Sequence, residues 1–150
     1  MKIRRVEPKR YVKLRTLATL IDYGIYITLF VLYVTTFGDR NNENGYTVTG
    51  WLFWPIPIVW FLYFVVLEAF SGSTPGHDIC KLVVIKTNCE KINLADAFKR
   101  RIIDPIDILF YGIPALICIC NTPKFQRLGD LFADTMVVKK SDIIETEIVF

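Results

Sequence analysis

The chain alternates between long apolar stretches and short polar blocks, and this pattern predicts helices that cross a membrane. Three stretches of 22, 20 and 19 residues, at positions 16–37, 51–70 and 102–120, hold very few charged side chains. A helix of about 20 residues spans about 30 Å, the thickness of the hydrocarbon core of a bilayer. Three such stretches are too many for a soluble core of 150 residues, because most helices of a small core need a polar outer face.

The third stretch differs from the other two, because it holds Asp104, Asp107, two prolines and a glycine. It either crosses the membrane once or turns back at 112–114, Gly-Ile-Pro, as a broken or re-entrant segment. Short β-branched runs at 82–85 and 136–138 predict two strands that pair with each other. Pairing requires both strands on the same side of the membrane, so it favours the re-entrant alternative over a third crossing.

The distribution of lysine and arginine predicts how the chain lies in the membrane. Seven basic residues precede position 16, six lie in the loop 71–101, and the loop 38–50 has only Arg40. Because cytoplasmic loops carry the excess of basic residues, the N-terminus and the loop 71–101 are expected in the cytoplasm. The first stretch is longer than the apolar region of a signal peptide, which is about 7–15 residues, so an uncleaved span is expected.

These patterns together predict an all-α membrane protein with one small β element. It has two full transmembrane helices, a third broken or re-entrant hydrophobic segment, and a small cytoplasmic two-stranded β element. A single membrane domain is expected over 1–140, followed by a C-terminal tail at 141–150. The tail mixes acidic residues with isoleucine, valine and phenylalanine, which is typical of either a short docking strand or a frayed end.

Acidic side chains inside the apolar stretches are the candidate functional groups. A carboxylate in a transmembrane helix costs about 2.5–3.5 kcal/mol on insertion scales, so Asp22 needs protein or water beside it. Asp22 either tethers its helix to Arg100 or Arg101, or takes part in moving an ion or proton. Asp104 and Asp107 are three residues apart on one helix face. Such a pair either raises each other's pKa, as cation or proton handling requires, or lies at a solvated helix start.

The chain lacks the residues of the common catalytic and metal sites. It has one histidine, four cysteines without the spacing of a zinc site, and no Gly-rich phosphate loop. We therefore expect no catalytic residue, no cofactor, no metal and no nucleic-acid partner, and the protein is not expected to be an enzyme. The Thr-Pro-Gly run at 74–76 predicts a helix start, with a hydroxyl cap and proline at the first helical position.

The order of several short motifs resembles the RDD family of small membrane proteins, over about residues 10–140. The motifs are Arg15-x-x-Ala18-x-x-x-Asp22, Ser73-Thr74-Pro75-Gly76, Arg100/Arg101 and Gln126-Arg127-Leu128-Gly129-Asp130-x-x-Ala133. By this resemblance, the one arginine and two aspartates that name the family are Arg15, Asp22 and Asp130. The family usually has lysine where this chain has His77. The resemblance implies a multi-pass protein of the bacterial cytoplasmic membrane.

Asp130 is expected to pair with arginine on the cytoplasmic side of the membrane. An arginine holds a carboxylate through two parallel hydrogen bonds and is always charged. Arg15 and Arg100 are the candidate partners, and a pair between Arg15 and Asp130 would join the amino-terminal segment to the carboxy-terminal strand. Gly129 is expected to end the helix that precedes this turn.

The resemblance implies the class of protein more closely than its activity. Transport of an unidentified ligand has been suggested for the family, and cation/proton exchange for some members. One hypothesis is that the protein moves an ion or small ligand as an oligomer or as a subunit, since three short spans hardly enclose a polar path alone. The alternative is a non-catalytic accessory or scaffold subunit of a larger membrane complex, holding a partner through 71–101 and 121–150.

The two hypotheses give the charged residues different roles. They form an ion or proton site under the first hypothesis and a structural charge network under the second. The residues concerned are Arg15, Asp22, Arg100, Arg101, Asp104, Asp107 and Asp130. The expected partners are the lipid bilayer and either further copies of the chain or another membrane-protein subunit.

Overall fold

Two long apolar helices dominate the computed structural model, which describes residues 2–41, 45–108 and 112–147. Helix α1, Val12–Phe37, and the second long helix, Gly50–Ser71, are long and apolar enough to cross a membrane. Only 11% of the most apolar window of each helix is buried inside the chain, unlike the core helix of a soluble protein. Short helices and short two-stranded sheets make up most of the other described residues.

The second long helix is built from four consecutive segments. A 3₁₀ turn, Gly50–Phe53, leads into α2, Pro55–Phe61, where proline occupies the first helical position and no hydrogen bond is lost. A π-helical turn, Leu62–Val66, follows, and α3, Leu67–Ser71, ends the helix. Gly72 terminates α3 in the left-handed conformation, at φ +73°, which glycine adopts without steric cost.

The two long helices lie antiparallel, and the buried core packs at one end of the pair. The Tyr33 hydroxyl donates to the Leu52 carbonyl at 2.7 Å, whereas the Tyr63 hydroxyl lies 3.3 Å from the carboxylate of Asp22, in the first half of α1. The apolar core surrounds this second region, the core end, and includes Ala18, Val65, Leu82, Val84, Ala97 and Val137. At the opposite, open end, a cavity of about 510 Å³ separates the helices.

The third apolar segment consists of short helices and is not one span in the described residues. Helix α4, Pro75–Ile79, and strand β4, Leu82–Lys86, precede α5, Leu94–Ile102, which opens with a capping box. Helix α6, Asp104–Ile108, and helix α7, Ile113–Asn121, contact each other, and residues 109–111 lie outside the described part.

Both ends of this third segment lie at the core end of the molecule. Arg101, in the last turn of α5, pairs with Glu68 at the end of the second long helix. The Cys120 carbonyl, near the end of α7, accepts a hydrogen bond from Arg10, just before α1, at 3.4 Å. Gly112 precedes α7 at φ +83°, a conformation that favours glycine, so the chain changes direction where the sequence predicts a break.

The strands predicted at 82–85 and 136–138 form an antiparallel pair. Strand β4 pairs with β5, Thr135–Lys139, with Val84 opposite Val137. Helix α8, Leu128–Phe132, directly precedes β5. The predicted pairing of these two segments is confirmed.

Two further two-stranded sheets correct the expectation of a single β element. Strand β1, Lys2–Val6, pairs with β6, Ile143–Glu147, and β2, Asp39–Arg40, pairs with β3, Tyr46–Thr47. Strand β6 agrees with the docking-strand alternative for the tail. The sequence pattern missed β1, β2 and β3 because they carry charged or polar side chains rather than β-branched runs. The first of these pairs includes much of the tail, while residues 148–150 lie outside the described residues.

Candidate functional site

Eight charged side chains form a buried cluster at the core end, the arginine–carboxylate network. Its members are Arg15, Glu68, Arg100, Arg101, Asp104, Asp107, Arg127 and Asp130. No member side chain is more than 12% exposed. Four guanidinium groups balance four carboxylates, which is the condition under which buried charges are tolerated.

Two fully buried carboxylates lie at the centre of the network. Glu68 pairs with Arg100 and Arg101, and Asp130 pairs with Arg15 and with Arg100, whose Nε lies 3.0 Å from Asp130 Oδ1. Burial alone raises the pKa of Asp130, but the charges of Arg15 and Arg100 outweigh it and hold that pKa well below its usual value. The predicted contacts of Asp130 with both arginines are present, and they join α1 and α5 to α8.

Asp104 and Asp107 lie in the same network and are each 2% exposed. Asp104 accepts from Arg101 Nη1 at 3.0 Å, and its other oxygen lies 2.9 Å from Arg127 Nη2. The two oxygens of Asp107 accept the first two backbone N–H groups of α8, at 3.1 and 3.0 Å. The alternative that this pair lies at a solvated helix start is therefore wrong, because other parts of the chain cover both carboxylates.

Gly129 begins a helix and does not end one, which corrects the sequence prediction. It is the second residue of α8, and its N–H donates to Asp107. A Cβ at this position would lie 2.6 Å from the Arg100 carbonyl oxygen. The close approach of α5 and α8 therefore requires glycine here, and it brings Arg100 within reach of Asp130.

Asp22 lies outside this network, in a second cluster that we call the aspartate–histidine turn: Asp22, Tyr63, Thr74, Gly76 and His77. The Gly76 N–H donates to Asp22 Oδ1 at 2.7 Å, and the Thr74 hydroxyl donates to Asp22 Oδ2. The predicted hydroxyl cap is wrong, because Asp22 from α1 supplies the oxygen that accepts the N–H at the start of α4.

The tethering alternative named Arg100 or Arg101 as the partner of Asp22, and that partner is also wrong. In the described residues the Asp22 carboxylate contacts the start of α4 and Tyr63. Hydropathy identified Asp22 as a buried acid, but a hydroxyl, a backbone amide and an imidazole surround it instead of a guanidinium.

His77 is the second titratable group of this turn and lies beside Asp22. It is 5% exposed, and its Nδ1 lies 2.8 Å from Thr74 Oγ1 and 3.2 Å from Asp22 Oδ2. Burial lowers the pKa of His77, and the hydrogen bond to Asp22 opposes this only in part, so the imidazole is neutral at pH 7. With the proton on Nδ1, a chain of hydrogen bonds runs from His77 through the Thr74 hydroxyl to Asp22.

Both clusters border one cavity of about 390 Å³, the α1–α7 pocket. Its charged and titratable lining residues are His77, Arg15, Arg100, Asp107 and Arg127. The remaining lining residues are Val12, Thr16, Thr19, Leu20, Gly112, Ala115, Leu116 and Ile119. No group of metal-ligating side chains converges anywhere in the described ranges.

Sequence reasoning missed several members of these clusters, among them Tyr63. Glu68 is the single charged residue of the stretch 51–70, and a lone acid in an apolar stretch was the signal that could have identified it. Arg127 lies within the motif at 126–133, in which Asp130 is the candidate that the sequence indicates. His77 stands out in the sequence only as the position where the family usually has lysine, whereas the structure places it against Asp22.

One comparison with known proteins found a match. The family model described as RDD family matches residues 12–134, which cover most of the chain and all members of both clusters. No curated protein and no solved structure matches. The match confirms the resemblance that the sequence motifs carry.

Proposed function

The chain belongs to the RDD family, and on that premise we propose that it moves an ion or small ligand together with a proton. Family membership and the two apolar helices indicate a membrane protein. One observation carries the proposal: Asp22, within a helix long enough to span the membrane, is joined by hydrogen bonds to His77, which borders the α1–α7 pocket.

The chemistry of this arrangement suits proton coupling. The neutral His77 is a group that can take up a proton, although burial moves its pKa below the usual histidine range, and the Thr74 hydroxyl both accepts from it and donates to Asp22. The arginine–carboxylate network serves as the rigid frame beside this site, because its acids are already paired with arginines. Two long helices do not enclose a polar path alone, so the working unit is an oligomer or a complex with another membrane protein.

An Asp22→Asn variant is expected to lose proton-coupled flux, to the level of empty vesicles. Asparagine has nearly the same shape and its oxygen still accepts from Gly76, but it cannot bind or release a proton. The measurement is proton movement in proteoliposomes that hold the purified full chain, under a pH gradient with Na⁺ or K⁺ outside, reported by a pH-sensitive dye.

The control for this experiment is Asp39→Asn, because Asp39 is an exposed acid in the loop 38–50. It is expected to keep the wild-type flux. Unchanged flux in a folded Asp22→Asn variant would contradict the role of Asp22. A wild-type chain that moves nothing but co-purifies with a partner in fixed ratio would favour the accessory role, for which the fully paired network is the supporting observation.

We also propose that the third apolar segment is re-entrant and that both chain ends lie in the cytoplasm. The pairing of β4 with β5 and the position of both segment ends at the core end support this topology. In intact cells, Ser141→Cys is expected to resist a membrane-impermeant maleimide, while Thr49→Cys reacts; both positions are exposed in the structure. The background is a chain whose four cysteines are replaced by alanine.

Permeabilised cells supply the control for reactivity, since both cysteines should then react. Labelling of Ser141→Cys from outside intact cells would contradict the re-entrant topology and would indicate a third full crossing.

A further inference from the structure

The α1–α7 pocket has a charged floor and apolar walls. The walls include Val12, Leu20, Ala115, Leu116 and Ile119, and arginines form the floor. Ligand pockets of about 300–1,000 Å³ are mostly apolar and orient the ligand with a few polar groups. A cavity of about 390 Å³ with this lining therefore has the size and composition of a binding site.

The network presents its positive side to this pocket. Arg15, Arg100 and Arg127 line the pocket, but Glu68 and Asp130 are fully buried behind them and do not. The network as a whole carries no net charge. A ligand in the pocket would nevertheless lie closer to these three guanidinium groups than to Glu68 or Asp130.

The carboxylate that lines this floor does not cancel the three arginines. Asp107 is the network carboxylate that lines the pocket, and each of its oxygens already accepts a backbone N–H from α8. His77, which borders the same cavity, is neutral at pH 7 and does not change the charge of the floor. The floor therefore favours an anion over a cation.

Several N–H donors of the floor have no hydrogen-bond acceptor among the described residues. Nε and Nη2 of Arg127 and Nη2 of Arg100 are buried, and they make ion-pair contacts without hydrogen-bond geometry. Buried donors are nearly always hydrogen-bonded in proteins. These nitrogens face network carboxylates, which hold the guanidinium groups by charge without well-aligned hydrogen bonds. A carboxylate or phosphate head in the pocket would add acceptors at the parts of Arg15 and Arg127 that border the cavity.

The mouth of the pocket is apolar. Leu20 on α1 is 66% exposed and Leu116 on α7 is 40% exposed, and both border the cavity. In a membrane these side chains face hydrocarbon, so an apolar tail leaving the pocket would pass between them into the bilayer.

We propose that the α1–α7 pocket binds an amphiphilic anion, a carboxylate or phosphate head on an alkyl chain, with the head at Arg15 and Arg127. This inference rests on the proposed function in that the same pocket borders His77, and it states which class of ligand the pocket would hold. Such an anion is supplied either by a membrane phospholipid or by a free fatty-acid-like molecule, and the two share the chemistry that the pocket recognises.

Native mass spectrometry of the full chain in neutral detergent at a fixed pH tests this proposal. The probes are decanoate against decanol, and phosphatidylglycerol against phosphatidylcholine. One anionic adduct per chain is expected, preferred at least about tenfold over its neutral or zwitterionic counterpart. Binding of decanoate alone assigns a free amphiphile, binding of phosphatidylglycerol alone assigns a membrane lipid, and binding of both assigns the shared head chemistry.

Filling the pocket supplies the matched variants. Leu116→Trp is expected to abolish the adduct, while Ile117→Trp keeps it, because Ile117 is 56% exposed on α7 and does not line the pocket. Ala115→Phe is a second pocket-filling variant for the case that Leu116→Trp does not fold. Equal binding of decanol and decanoate, or equal binding by the folded pocket-filling variants and Ile117→Trp, would overturn the inference.

The outcome is separable from that of the transport experiment, because binding is measured without a gradient. A chain that binds the anion but moves no proton would overturn the proposed function and leave this inference standing. A chain that moves protons but prefers no anion would do the opposite.

Discussion

An Arg100→Ala variant is expected to lose about 3–5 kcal/mol of the free energy of unfolding. Arg100 is fully buried and pairs with both Glu68 and Asp130, which are themselves fully buried. Removing it leaves four carboxylates with only three guanidinium groups in the buried network. The measurement is unfolding of the full chain in mild detergent, with sodium dodecyl sulfate as denaturant, followed by tryptophan fluorescence.

Lys99→Ala is the matched control for this experiment, because Lys99 is the preceding residue on α5 and is exposed. A surface substitution of this kind changes stability by about 0.5 kcal/mol or less. Arg100→Lys is expected to restore only part of the loss, because an ammonium group cannot reach two carboxylates in the planar geometry of a guanidinium. A loss in Arg100→Ala as small as that in Lys99→Ala would contradict a network that holds the fold.

Gly76→Ala is expected to destabilise the protein by about 3 kcal/mol, because it separates α1 from α4. A Cβ on Gly76 would lie 2.2 Å from the Ala18 carbonyl oxygen and 2.8 Å from Cγ of Asp22. The first neighbour is a backbone atom and the second belongs to a buried carboxylate, so neither can move aside without a large cost in free energy. The displacement also removes the hydrogen bond from the Gly76 N–H to Asp22.

The same denaturant titration compares this variant with Gly24→Ala. Gly24 lies on α1 two residues beyond Asp22, and no atom lies within 4 Å of where its Cβ would be. Alanine there is expected to be neutral or to stabilise the helix by about 0.5–1 kcal/mol. If both substitutions had equal effects, the close contact of α4 with α1 would not exist in the folded protein.

The local sequence pattern was enough to predict the two long helices, the paired strands β4 and β5, and the break at Gly112. The two long helices follow from uninterrupted apolar stretches at 16–37 and 51–70, and the strands β4 and β5 follow from their β-branched runs. The break at Gly112 follows from glycine and proline in the middle of the third stretch. These features depend on neighbours within a few residues, which the sequence shows directly.

The partners of the buried charges could be predicted only for Asp130. The choice of Arg15 and Arg100 succeeded because always-charged arginines stood on the same expected side of the membrane. The choice for Asp22 failed because its partners are a backbone N–H and a hydroxyl in a turn. Neither group is visible as a charge in the sequence, so electrostatic reasoning had no signal to find them.

The sequence by itself determined that this protein has two membrane-length helices and that Asp22, Asp104 and Asp107, which lie in apolar stretches, need partners. Only the tertiary structure decided which residues satisfy those acids, and it sorted them into the network and the aspartate–histidine turn. The physical reason is separation along the chain: Arg15 and Asp130 are 115 residues apart, and Asp22 and Gly76 are 54 apart. Hydropathy specifies that a buried charge needs a partner, but only the packing of distant helices specifies which partner comes within reach.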